Sequence, residues 1–287
     1  MILTNSSAAK VGGTNVKVIA STTTLFRQFM CYDGSSISSA ITGTTGLIKN
    51  GIPNLVLSGV CNYTGPTQIN AGTLSVTNAS TLNGVISGAG SLTKSGAFAV
   101  TIGGNNTYTG GTFFSGGTIT FSSGNAFGTG LFMAQTASQI ITIGNVTLLN
   151  NFQINAGATM QYRTSGANTI TLTGNITQSG NLNKTGNGTL DLTAATLTYT
   201  GSTTIQGGFI RARKTNGAST ATATFQSAPG LSLVVSFNVA PPSGITTFRF
   251  FQGTTTQTYA TVTLTGLPVG STAVYTSATS TLTVTVP

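Results

Sequence analysis

The sequence predicts an all-β protein whose middle is a parallel solenoid, and three observations carry that reading. Short landmarks recur at a shared interval: Lys49, Lys94 and Lys184 are 45 and 90 residues apart, and Tyr63, Tyr108 and Tyr199 are 45 and 91 apart. Hydrophobic residues alternate with Thr, Ser and Asn in short runs, a spacing near 2 rather than the ~3.6 of a helix. Gly, with 38 copies, and Thr, with 57, occur too often to leave room for regular helices.

The landmarks are longer than single residues. Leu47-Ile48-Lys49-Asn50-Gly51 is echoed by Leu92-Thr93-Lys94-Ser95-Gly96 and by Leu182-Asn183-Lys184-Thr185-Gly186. Tyr63-Thr64-Gly65, Tyr108-Thr109-Gly110 and Tyr199-Thr200-Gly201 follow at the same interval. So do Ala71-Gly72-Thr73-Leu74, Gly116-Gly117-Thr118-Ile119 and Gly207-Gly208-Phe209-Ile210. A fixed period of this length is the signature of stacked repeats. One copy, between residues 137 and 181, is degenerate: Ile154-Asn155-Ala156-Gly157 matches Ile69-Asn70-Ala71-Gly72, but the Tyr-Thr-Gly element is absent.

Leu55-Val56-Leu57, Thr73 to Thr77, Val100-Thr101-Ile102 and Ile170-Thr171-Leu172 read as strands. Coils of roughly 20–25 residues suit a solenoid, so two coils are expected per period, with Lys49, Lys94 and Lys184 aligned along one axis. Equivalent strands in successive coils would pair at about 4.8 Å, making residues 47–214 a rod of seven or eight coils, roughly 35 Å long. That pairing satisfies the backbone without charged side chains, and like charges stacked so closely would repel. Only 5% of the chain is charged.

The stretch from Leu182 to Leu192, followed by Thr198 to Gly208, resembles the passenger-associated transport repeat, also called the autotransporter-associated β-strand repeat. The copy through Lys94 and Asn106 to Thr112 is similar. The resemblance covers about residues 47–214 and implies a right-handed parallel β-helix on an exported or surface-exposed fibre.

Outside the repeats, residues 1–46 lack the landmarks and are expected to be a cap or docking segment, because a solenoid end exposes unpaired strand edges. Val16 to Ala20 and Thr24 to Met30 are its expected strands, or one is a short helix. Residues 215–287 are expected to be a small antiparallel β-domain, sandwich-like or oligomerising. Its strands are Leu231 to Phe237, Thr246 to Phe251, Thr258 to Leu264 and Thr281 to Val286, punctuated by Pro241-Pro242-Ser243-Gly244 and Leu267-Pro268-Val269-Gly270. Phe237, Phe248, Phe250 and Phe251 are its core candidates, or in part a subunit contact. Cys31 and Cys61 are too few for a disulfide framework and read as two buried thiols rather than a bridge.

Composition removes most catalytic toolkits. The chain has no His, and its acids are Asp33 and Asp191 alone against 11 Lys plus Arg. A Ser-His-Asp triad or a His-ligated metal cannot be assembled. Paired carboxylates for glycoside hydrolysis would need Asp33 and Asp191, from different regions, to meet, or a site shared between subunits. No catalytic, cofactor-binding or metal-binding residue is nominated, and no cofactor is expected. The net charge of +9 is too dispersed for a nucleic-acid partner; only Arg211, Arg213 and Lys214 cluster, as a solvated turn or a contact for an acidic group. No apolar run is long enough to span a membrane as a helix. The tyrosines could form a carbohydrate-stacking ladder, but packing at equivalent corners explains their period more simply, and the same holds for the lysines.

The start at Met1, without a basic and apolar leader, favours a protein made and assembled without export. The expected function is therefore a non-enzymatic structural component of a virus or phage particle, such as a capsid decoration, head fibre or tail-fibre segment. It would be a homo-oligomer, a trimer in the first instance, bound to other virion proteins and in contact with host-surface glycan. The alternative is a bacterial surface adhesin or extracellular filament subunit of autotransporter-passenger type, located at the cell surface or outside the cell.

Overall fold

A computed structural model of the chain describes residues 27–30, 35–38, 40–44, 46–213, 222–228, 232–237, 243–249, 261–276 and 281–287. Among these residues every regular element is a β-strand. The chain divides into two compact units, residues 1–139 and 140–287.

The first unit is a parallel solenoid with three sheets. One sheet runs through Arg27–Met30, Leu47–Asn50, Thr67–Ile69 and Ile86–Ser87. A second runs through Ser35–Ile37, Leu55–Leu57, Thr73–Val76, Ser91–Ser95, Thr112–Ser115 and Phe132–Ala134. The third joins Ser80–Leu82, Ala99–Ile102 and Gly117–Phe121. All these pairs are parallel, as expected of successive coils. The pairing starts upstream of residue 47, where the coils were expected to begin, because Arg27–Met30 and Ser35–Ile37 already pair in register with the strands one coil later. Residues 1–26, including the Val16 to Ala20 strand, lie outside the described residues.

Register fixes the coil length. Leu74 faces Leu92, 18 residues on, and Leu92 faces Thr112, 20 on. The 45-residue interval is therefore not two coils. Lys49 lies in the first sheet and Lys94 in the second, so they do not stack on a common axis. The expected alignment fails because backbone pairing, not the motif, sets the coil. The surplus of about five residues carries the landmark two coils onward and around a corner to the next side.

Alternation puts apolar side chains inside on every face. Leu55, Leu57, Ile69, Val76, Ile102 and Ile119 are buried. Where the first sheet stops after Ile86–Ser87, the buried Asn106 side chain takes over from the strand ladder. It accepts from the Ile86 N–H at 2.8 Å and donates to the Ala126 carbonyl at 2.7 Å, joining three successive coils. Phe121, Phe127 and Phe132 fill the interior beside it, with ring centroids 5.0 and 4.6 Å apart.

In the second unit, Thr159–Thr164, Asn181–Thr185 and Thr203–Ile205 form one parallel ladder. Val146–Leu148, Thr169–Leu172, Thr189–Asp191 and Phe209–Arg213 form another. Here the coil takes 20–24 residues: Thr189 faces Phe209, 20 on, and Val146 faces Ile170, 24 on. Phe209–Arg213 then pairs antiparallel with Thr222–Ala228, which pairs antiparallel with Ser232–Phe237. A three-stranded antiparallel sheet joins Gly244–Arg249, Thr281–Val286 and Thr272–Thr276, the last a strand the sequence reading omitted. One pair departs from the antiparallel expectation. Ser232–Phe237 and Thr261–Thr265 are parallel, because the chain between them leaves to place Gly244–Arg249 in another sheet. Phe250 and Phe251 lie outside the described residues, as do the side chains of Phe237 and Phe248.

Corner glycines are where coil contacts are tightest. Gly88 has φ +104°, and a Cβ there would sit 2.1 Å from the Ile69 carbonyl oxygen one coil earlier; Gly144 has a similar φ, +101°, with open space around it. Gly144→Ala should cost about 1–2 kcal/mol from backbone strain alone. Gly88→Ala should add an overlap penalty and cost at least about 3 kcal/mol. Comparing thermal unfolding midpoints checks this; equal losses would mean that coil contact at Gly88 is not limiting.

Candidate functional site

The repeated lysines point inward. Lys49, Lys94 and Lys184 are 0, 1 and 0% exposed. Each lies on a strand just before a glycine corner, so its stem runs through the apolar interior and its amine emerges among corner carbonyls that the ladder leaves unpaired. Lys94 Nζ donates to the carbonyls of Ser95 (3.1 Å), Gly96 (2.7 Å) and Gly116 (2.9 Å). Lys49 Nζ repeats the pattern with Asn50 (3.1 Å), Gly51 (2.6 Å) and Ala71 (3.0 Å). Lys184 Nζ repeats it with Thr185 (2.5 Å), Gly186 (3.0 Å) and Gly207 (3.3 Å), with the Thr164 hydroxyl at 3.4 Å. In each cage two carbonyls belong to the lysine's own turn and the third to the next coil. Three acceptors match the three N–H donors of an ammonium.

Desolvation pushes the Lys94 and Lys184 amines down to about 8. The ammonium therefore still prevails at neutral pH, stabilised by carbonyl dipoles instead of a carboxylate.

The tyrosines are internal as well. Tyr63 shares a hydrogen bond with Thr67 at 2.7 Å, Tyr108 with Thr112 at 2.5 Å, and Tyr199 with Thr203. All three rings are buried, which raises their hydroxyl pKa values through desolvation. No surface ladder for sugar stacking is built from them, in agreement with the packing reading.

Asp191 is engaged on both oxygens. Oδ1 accepts from the Thr193 N–H at 2.9 Å and hydroxyl at 2.6 Å, and Oδ2 accepts from Arg211 at 3.2 Å. Arg213 is exposed on the same strand as Arg211, whereas Lys214, Asp33 and Cys31 lie outside the described residues. Cys61 is a free, buried thiol whose pKa burial pushes up to about 11. Among the described residues no group of three His, Cys, Asp or Glu could hold a metal. Nor is any helix there long and apolar enough to cross a membrane.

What the sequence reading missed is on the outside of the second unit. An open groove of about 370 Å³ is lined by Ile141, Arg163, Ser165, Gly166, Gly186 and Asn187. Arg163 projects outward beside Thr185 on the neighbouring strand. The side chains of Arg163, Ser165 and Asn187 have no hydrogen-bond or ionic partner among the described residues. On the same two strands Asn183 Oδ1 and Thr185 Oγ1 are also unpartnered. In a chain so rich in Ser, Thr and Asn, nothing in the sequence distinguished these polar positions from the rest.

With this geometry in view, comparison with known families gives one result. The chain carries three passenger-associated transport repeats, at residues 47–76, 92–121 and 182–212. Each contains one complete lysine cage and one Tyr–Thr pair, so the repeat has a definite physical content: it clamps a coil to the next. No curated protein and no solved structure matches the chain.

Two outcomes follow for the clamp. Tyr108→Phe leaves Thr112 without its tyrosine partner and should cost about 1–2 kcal/mol. Lys184→Met should be destabilising in a pH-dependent way. The folded-state pKa near 8 lies below the ~10.4 of a free lysine, so the unfolded chain binds more protons between those values. Wild-type stability contributed by this group therefore rises with pH across that window, and the variant lacks the rise. The gap between the two should widen by roughly 1–2 kcal/mol from pH 7 to pH 10. Denaturant titrations across that range read it out, and a narrowing gap would contradict a desolvated amine.

Proposed function

We propose that this chain is a non-enzymatic structural segment of a bacterial surface adhesin or extracellular filament, displayed in the manner of an autotransporter passenger. The observation that carries the reading is the set of three passenger-associated transport repeats. Their lysines and tyrosines are all committed to holding coils together, which supports a scaffold rather than a reaction centre. Asp191, held by Arg211 and Thr193, is poorly placed to act as a general acid or base. No observation favours the virion reading over this one.

Localisation tests the proposal. In cells producing an epitope-tagged chain, the protein should appear in the envelope or medium, and protease added to intact cells should remove the envelope fraction. Retention inside protease-treated cells, or co-purification with virus particles in stoichiometric amount, would refute surface display.

A further inference from the structure

We propose that the groove at the end of strands Thr159–Thr164 and Asn181–Thr185 binds a carboxylated saccharide, with Arg163 as its anchor. The inference deepens the adhesin reading and rests on it for its biological meaning. The chemistry points to this ligand class in three ways.

First, Arg163 is an exposed guanidinium with no acid to pair with, since the one described carboxylate, Asp191, is held by Arg211. A guanidinium offers two parallel N–H donors that fit a carboxylate in a bidentate pair. Second, Arg163 is the one charged residue lining the groove, which suits a monoanion better than a phosphate. Third, the neighbouring polar groups are those a sugar uses. The Ser165 hydroxyl and Asn187 amide are free to donate and accept, and Ile141 offers one apolar wall for ring C–H groups. Gly166 and Gly186, at φ +60° and +73°, carry no side chain to fill the space between them. No aromatic ring lines the groove, so binding would depend on charge and hydrogen bonds and weaken with salt.

The test uses the whole chain and immobilised oligogalacturonate, with a neutral malto-oligosaccharide and a sulfated oligosaccharide as comparison surfaces. Wild type should bind the oligogalacturonate and not the neutral sugar. Arg163→Gln should lower the affinity about tenfold or more. Arg213→Gln removes the same charge from a different sheet and should leave binding unchanged. If Arg163→Gln shifts the unfolding midpoint, Asn187→Ala supplies the groove variant, with an expected loss of several-fold. Equal weakening by Arg163→Gln and Arg213→Gln would reduce the effect to overall positive charge and overturn the site. Absence of binding at millimolar sugar would overturn it too, as would a preference for the sulfated surface. Failure of the localisation test leaves these measurements standing, and failure here leaves surface display standing.

Discussion

The constraint on which the structure depends is backbone satisfaction in a coil of about 20 residues that turns three corners. Strands solve the problem along their length, because each N–H and C=O finds the equivalent strand in the next coil. Corners do not solve it, since their carbonyls converge inward where neither ladder nor water reaches. Leaving such acceptors unpaired would cost about 1–3 kcal/mol each. One ammonium answers three of them at once, and it does so across two coils. Lysine suits the position better than arginine: its compact head with three rotatable donors fits a tripod of carbonyls, whereas a planar fork favours carboxylates.

This reverses the usual meaning of charge in the sequence. Of 11 cationic side chains, three are not surface charge at all but internal donors. The scarcity of acids ceases to be puzzling, because carbonyl dipoles do the stabilising that carboxylates perform in most buried ion pairs. What remains outside is sparse positive charge on a neutral polar surface. A single unpaired guanidinium such as Arg163 therefore stands out chemically in a way it would not on an ordinary charged domain.

The repeat was legible in the sequence because Lys-x-Gly and Tyr-Thr-Gly survive as short strings, and the parallel strands were legible from their alternation. The register was not. Coil length emerges from pairing at every strand, and nothing in the motif states it, so equal spacing suggested an alignment that Lys49 and Lys94 do not have. Burial of the lysines was hidden for another reason. Lysine is seldom fully buried, and the carbonyls that make it possible belong to Gly, Ala, Ser, Thr and Asn corners that carry no side-chain signature. The groove was hidden by composition, since Ser165 and Asn187 resemble dozens of other polar residues until their lack of partners is seen.

The degenerate copy shows what the clamp controls. Where the other repeats place Lys-x-Gly, the second unit has Thr142-Ile143-Gly144, with Thr142 buried. Its hydroxyl has one proton, which it donates to the Gly144 carbonyl in its own turn at 2.9 Å, leaving none for the following coil. Downstream of that corner the coil lengthens to 24 residues between Val146 and Ile170, against 20 between Thr189 and Phe209 just after Lys184. A cross-coil clamp fixes how much chain separates two corners; a hydroxyl that bonds only locally does not. Insertions accumulate where the third carbonyl has been released, so the lysine that identifies the repeat in sequence is also what keeps the repeat to length.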